Sequence, residues 1–179
     1  MWQIIGIALA VIVILLVVIV SLRPPDFRVT RTARIAAPAG AVFENVNDFH
    51  KWEAWSPWAK MDPNAKNTFS GQVAGPGASM AWSGNKKVGE GRMTIMENQP
   101  AEMIRIKLEF FRPFKATNTA EFAFKSEGDQ TVVTWSMFGK NNFMGKLFHL
   151  FMDCDKMVGK DFEKGLANLN SASQTMAHA

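Results

Sequence analysis

Residues 2–22 (WQIIGIALAVIVILLVVIVSL) carry no charged side chain and are almost continuously apolar, which restricts where this chain can reside before any fold is considered. As a helix rising about 1.5 Å per residue the stretch is ~31 Å long, enough to cross a hydrocarbon core of about 30 Å. A cleaved signal peptide has a basic start, a shorter apolar core and small residues at its cleavage site. Ser21-Leu22-Arg23-Pro24-Pro25 lacks such a site, so residues 2–22 read as an uncleaved single-pass transmembrane helix. No Lys or Arg precedes it, whereas Arg23, Arg28, Arg31 and Arg34 follow it. The positive-inside bias then puts the rest of the chain on the cytoplasmic side. Pro24 and Pro25 cannot continue a helix, which leaves residues 23–26 as a short linker.

The remainder of the 179 residues is enough for one domain. A single Cys excludes an intramolecular disulfide framework and any zinc site built on cysteine pairs. The net charge of +4 comes from mixed signs spread along the chain, without the dense basic face that nucleic acid requires. Neither Gly75-Pro76-Gly77 nor Gly89-Glu90-Gly91 extends into a nucleotide-binding glycine loop. His149 and Asp153 would share a helix face, but Asp155 is displaced from it, so no metal set forms. No cofactor is implied.

Residues 27–36 are rich in β-branched and charged side chains and read as a first strand. Val42, Phe43 and Val46 can share one face of a short helix after Pro38. Trp52, Trp55 and Trp58 follow within seven residues, interrupted by Pro57, and are expected on a turn and loop. From residue 67 to 139 about six strands succeed one another. In the clearest, Ile104, Ile106, Leu108 and Phe110 alternate with Met103, Arg105, Lys107 and Glu109. After Phe143 the apolar period changes to three or four, through Leu147, Phe148, Phe151, Cys154, Val158, Phe162, Leu166 and Leu169. This predicts one long amphipathic helix, bent near Gly159, with Cys154 as an inert thiol on its apolar stripe. Residues 171–179 read as a flexible tail. The order predicts an α+β fold in which a curved antiparallel sheet wraps a long C-terminal helix.

VNDFHKWEAWSPW after the first strand and VTWSMFGKNNFMGKLFHLFMDCDKMVGKDFEKGLANL near the end carry a family resemblance. Over residues 27–170 the chain resembles the START-like (SRPBCC) superfamily, and within it the membrane-anchored members of the polyketide cyclase/dehydrase and lipid-transport group. The resemblance implies the helix-grip fold, with a cavity between sheet and helix that holds a hydrophobic or amphipathic small molecule. The expected inner set is Trp82, Ile106, Leu108, Phe110, Phe122, Phe124, Trp135 and Met137 from the strands, faced by Phe148, Phe151 and Met152 from the helix, with Trp55 and Trp58 at one end. Proton transfer would fall to His50, Glu53 or Glu90, although the sequence shows no convergent acid–base pair among them.

Three functional readings follow. The first is a membrane-anchored binding module for a lipid or other hydrophobic small molecule. The second is a cyclase/dehydrase-type enzyme acting on an aromatic or polyketide-like substrate. The third is a protein-interaction module near the membrane, in the manner of chaperone regulators, with its protein partner undefined.

Overall fold

The computed structural model describes residues 1–177, with the side chains of His149, Cys154, Met176 and Ala177 outside the described set. The expectations for the Cys154 thiol and for residues 178–179 therefore lie outside the described residues. Helix α1 (Trp2–Leu22) is solvent-facing along nearly its whole length, and Val20 is its one buried residue. It is long and apolar enough to cross a membrane. Pro24 and Pro25 stop it, and strand β1 (Asp26–Ile35) begins immediately afterwards.

Helix α2 (Ala39–Asn47), a 3-10 turn (Phe49–Lys51) and the single-turn α3 (Trp52–Trp55) connect β1 to the remaining strands. These are β2 (Lys66–Ser70), β3 (Ser79–Ser83), β4 (Glu90–Gln99), β5 (Met103–Arg112), β6 (Ala116–Glu127) and β7 (Gln130–Lys140). All seven form one antiparallel sheet in the order β1-β7-β6-β5-β4-β3-β2. Only β1 departs from a simple meander: it returns to pair with β7 along its whole length. Sheet and C-terminal helix together form the helix-grip fold.

The long C-terminal helix is in fact two. Helix α4 (Phe143–Phe151) ends at an extended Met152, and α5 (Cys154–Ala177) then begins. The break falls at Met152–Asp153 rather than at Gly159. Asp153 makes it, because its carboxylate accepts the backbone N–H of Lys156 at 3.0 Å and caps the first turn of α5. Gly159 serves close packing instead, since a Cβ there would collide with the Arg31 guanidinium. The expected tail also differs. The helix continues through residue 177, and Ser173 is fully buried within reach of the Asn45 amide, which donates to its hydroxyl at 3.2 Å.

Candidate functional site

The strand register lines up the inner-face residues in rows across the sheet. The row of Ile104, Phe122, Trp135 and Arg31 lies toward the β6–β7 hairpin. The next row is Ile95, Ile106, Ala120, Met137 and Val29. Nearer α1 follow Met80, Met93, Leu108, Asn118, Gly139 and Phe27, and then Trp82, Gly91, Phe110 and Ala116. Burial changes along these rows. Ile104, Ile106, Phe122 and Trp135 are buried, whereas Met93, Leu108, Phe110 and Met137 keep part of their surface.

The far rows are filled by rings. Trp135 stacks on Phe162 of α5 at 4.0 Å between centroids and on Phe122 at 4.7 Å. Trp55 and Trp58 meet Trp135 edge-on at 5.7 and 5.8 Å. The Trp52 and Trp55 indoles donate to the Val46 and Asn45 carbonyls, which fixes α3 onto the core. Gly165 completes this packing, because a Cβ there would lie 2.8 Å from the Trp135 ring. One polar atom is left over: among the described residues, the buried Trp135 indole N–H has no acceptor in the protein.

Toward α1 the rows thin out. Asn118 and Gly139 stand where bulkier residues stand farther along, and the Asn118 side chain lies over Gly139. Trp82 lies across Gly91, where any Cβ would meet its ring, and touches Phe110 edge-on at 5.8 Å. Its indole donates to the Val88 carbonyl at 3.2 Å. At this end Met93, Leu108, Phe110 and Met137 are half-buried.

Residues 26–174 match the family described as Polyketide cyclase / dehydrase and lipid transport. The chain belongs to that family. The match begins at the first residue of β1 and leaves α1 outside it. Solved structures share the fold at low identity. A protein from Nitrosospira multiformis is 17% identical, with 86% of this chain and 100% of that one covered at a TM-score of 0.59. One from Chromobacterium violaceum is 14% identical, covering 83% and 96%, at 0.57. The Aha1 dimer from Colwellia psychrerythraea is 12% identical, covering 84% and 96%, at 0.53. No curated protein matches the chain.

The anticipated inner set divides by burial: Ile106, Phe122, Phe124 and Trp135 on the strands and Trp55 on α3 are buried, while Trp82, Leu108, Phe110 and Met137 are half-buried. Trp58 is half-buried against Trp135 and Phe162. Phe148, Phe151 and Met152 do not face the sheet. They are 41%, 73% and 41% exposed, because the break at Asp153 separates α4 from the helix that the sheet grips.

The proton-transfer candidates do not converge. His50 is exposed, stacks on Phe69 at 4.0 Å and contacts the Asp48 carboxylate through Nδ1 at 2.9 Å. Glu53 is exposed on α3. Glu90 pairs with Arg112 at the end of the sheet near α1. Phe69 stands three register positions from that end of β2, roughly 10 Å along the strand from the level of Glu90 and two strands away. Sequence reasoning missed Asn118 and Gly139, whose small size is the available signal for the open end.

Proposed function

We propose that this protein is a membrane-anchored binding module that holds a lipid or other hydrophobic small molecule between α5 and the open end of its sheet. The observation that carries the reading is the loss of side-chain volume along the inner rows, from Phe122 and Trp135 to Asn118 and Gly139, while the flanking Leu108, Phe110 and Met137 stay apolar. Such a surface suits an acyl or prenyl-like chain. Family membership supports a hydrophobic ligand, and the scattered positions of His50, Glu53 and Glu90 favour binding over acid–base catalysis. Helix α1 is the anchor, and Arg23 at its end favours a cytoplasmic domain.

The test is photo-crosslinking of the full chain in vesicles containing a phospholipid with a diazirine on its acyl chain. Crosslinks are expected at Met93, Leu108 and Met137 as well as in α1. Asn118→Leu, which adds apolar volume beside the half-buried Leu108, should abolish the inner crosslinks and leave the folded fraction unchanged by circular dichroism. Crosslinks confined to the helices outside the sheet would overturn the reading.

A further inference from the structure

Helix α4 presents a contradiction that the domain alone does not resolve. Its sequence, FMGKLFHLF, is apolar almost all round, with Lys146 its one Lys or Arg. A helix of that kind is normally buried or in a membrane, yet Phe143, Met144, Phe148 and Phe151 are exposed, Phe151 to 73%. Its half-buried Leu147 and Leu150 leave Met144, Phe148 and Phe151 as a separate outer stripe.

The position of α4 identifies what covers that stripe. It touches α1, whose Val20 is fully buried, and the Lys146 ammonium donates to the Ser21 carbonyl at 3.2 Å. The residue after β7, Asn141, donates its backbone N–H to the Pro25 carbonyl at 2.8 Å, so α4 starts where α1 ends. Asp26 pairs with Lys140, and the register carries the same end of the sheet across to Ala116, Arg112, Glu90 and Ser83. The β5–β6 turn at this end carries Phe114, which is 61% exposed. Arg23, Lys86, Lys87, Arg112, Lys115, Lys140 and Lys146 gather at this end against Asp26, Asp62 and Glu90. The turns at the opposite end instead carry Glu102, Glu127 and Asp129. Between the α1–β1 linker and the start of α4 lies a pocket of about 190 Å³ lined by Arg23, Pro24, Asp26, Phe27, Asn141 and Lys146.

We propose that α4 lies in the headgroup–acyl boundary of the same bilayer that α1 crosses, with its Phe148/Phe151 stripe in the acyl region, the β5–β6 turn as a second touch-point and the basic end of the sheet against anionic headgroups. Apolar side chains beside cations are the composition of an interfacial helix. This second contact holds the open end of the grip against the lipid surface, so a ligand passes between bilayer and sheet without crossing bulk water. The proposal rests on the reading of α1 as the anchor.

The test uses the full chain with its one cysteine replaced (Cys154→Ser), reconstituted in vesicles of phosphatidylcholine with phosphatidylglycerol. An environment-sensitive fluorophore is attached in turn at Phe148→Cys, Phe151→Cys and Phe114→Cys, all exposed positions that tolerate a label, with Val13→Cys in α1 and Asp129→Cys at the opposite end as references. Labels at 148 and 151 should shift to the blue and lose emission to spin-labelled lipid, with a smaller effect at 114 and none at 129. If 13 reports lipid while 148 and 151 report water, the interfacial placement is wrong and the anchor stands. Should 13 report water, the anchor reading fails and takes this proposal with it. Labels at 148 and 151 that turn blue but resist lipid quenching while the protein dimerises would assign the stripe to a second copy and overturn the proposal.

Discussion

The two ends of the inner face come from the same strands and obey the same apolar alternation, yet one is solid and the other open. In β5, Ile104 and Ile106 are fully buried while Leu108 and Phe110, two and four residues farther along the same face, are not. The difference arises in the neighbouring strands. Phe122 and Trp135 stand beside Ile104, whereas Asn118 and Gly139 stand beside Leu108. Alternation decides which face is dry, but side-chain volume on adjacent strands decides whether that face is filled.

Truncation should separate the two ends most strongly. Trp55→Ala removes a fully buried ring that contacts Trp52, Phe122 and Trp135, and should cost about 3–5 kcal/mol. Leu108→Ala removes a side chain that already borders open space. It loses little more than the transfer free energy of its buried part, under about 2 kcal/mol. Urea denaturation of the full chain in vesicles measures both. Equal losses would mean that the ends are equally packed and would break the distinction.

The sequence displayed the strands, the change of period after Phe143 and the apolar run of α1 because each is a local pattern with its own repeat. It did not display the helix break. Asp153 is one polar residue in a stretch whose three-to-four period continues on both sides, and only its capping bond to Lys156 shows that the helix restarts there. The cavity candidates were partly legible for a similar reason. Alternation placed Ile106, Leu108 and Phe122 on one face, but buried and half-buried positions differ through partners distant in sequence, such as Asn118 beside Leu108. Phe148 and Phe151 misled because an outer apolar stripe and an inner one have the same period.

The two glycines of α5 sharpen the contrast at a smaller scale. Gly165→Ala presses a methyl against the Trp135 ring and Pro57, both held in the packed end, and should destabilise by about 1–2 kcal/mol. Gly159→Ala meets only the Arg31 guanidinium, the far end of a flexible side chain whose partners Asp155 and Glu163 are largely exposed. Those screened pairs are worth little, and the gain in helix propensity of up to about 1 kcal/mol offsets their re-seating. Gly159→Ala should therefore be near neutral. Thermal midpoints of the two variants measure the difference, and a large loss at Gly159 would show that Arg31 is as rigidly held as Trp135.

Acid should produce the smallest effect, and at two sites. Lys125, hydrogen-bonded to Glu127, and Arg34 beside it hold the Glu127 carboxyl below its usual range at the β6–β7 hairpin. The Lys156 backbone N–H and then its side chain do the same for Asp153 at the start of α5. A carboxyl depressed in the folded state adds stability above its unfolded pKa, and that increment disappears as the pH falls through the folded value. Stability should thus be flat at neutral pH and decline below about 4.5 for Glu127 and 3.8 for Asp153, their ordinary values. Both groups face solvent, so each slope is shallow. Glu127→Gln should flatten the decline read by hydrogen exchange in the β6–β7 hairpin alone. Asp153→Asn retains an Asn cap for α5 and should flatten it in that helix's first turn alone. If either substitution altered exchange at both sites, the β6–β7 hairpin and the first turn of α5 would be one cooperative unit in acid rather than two.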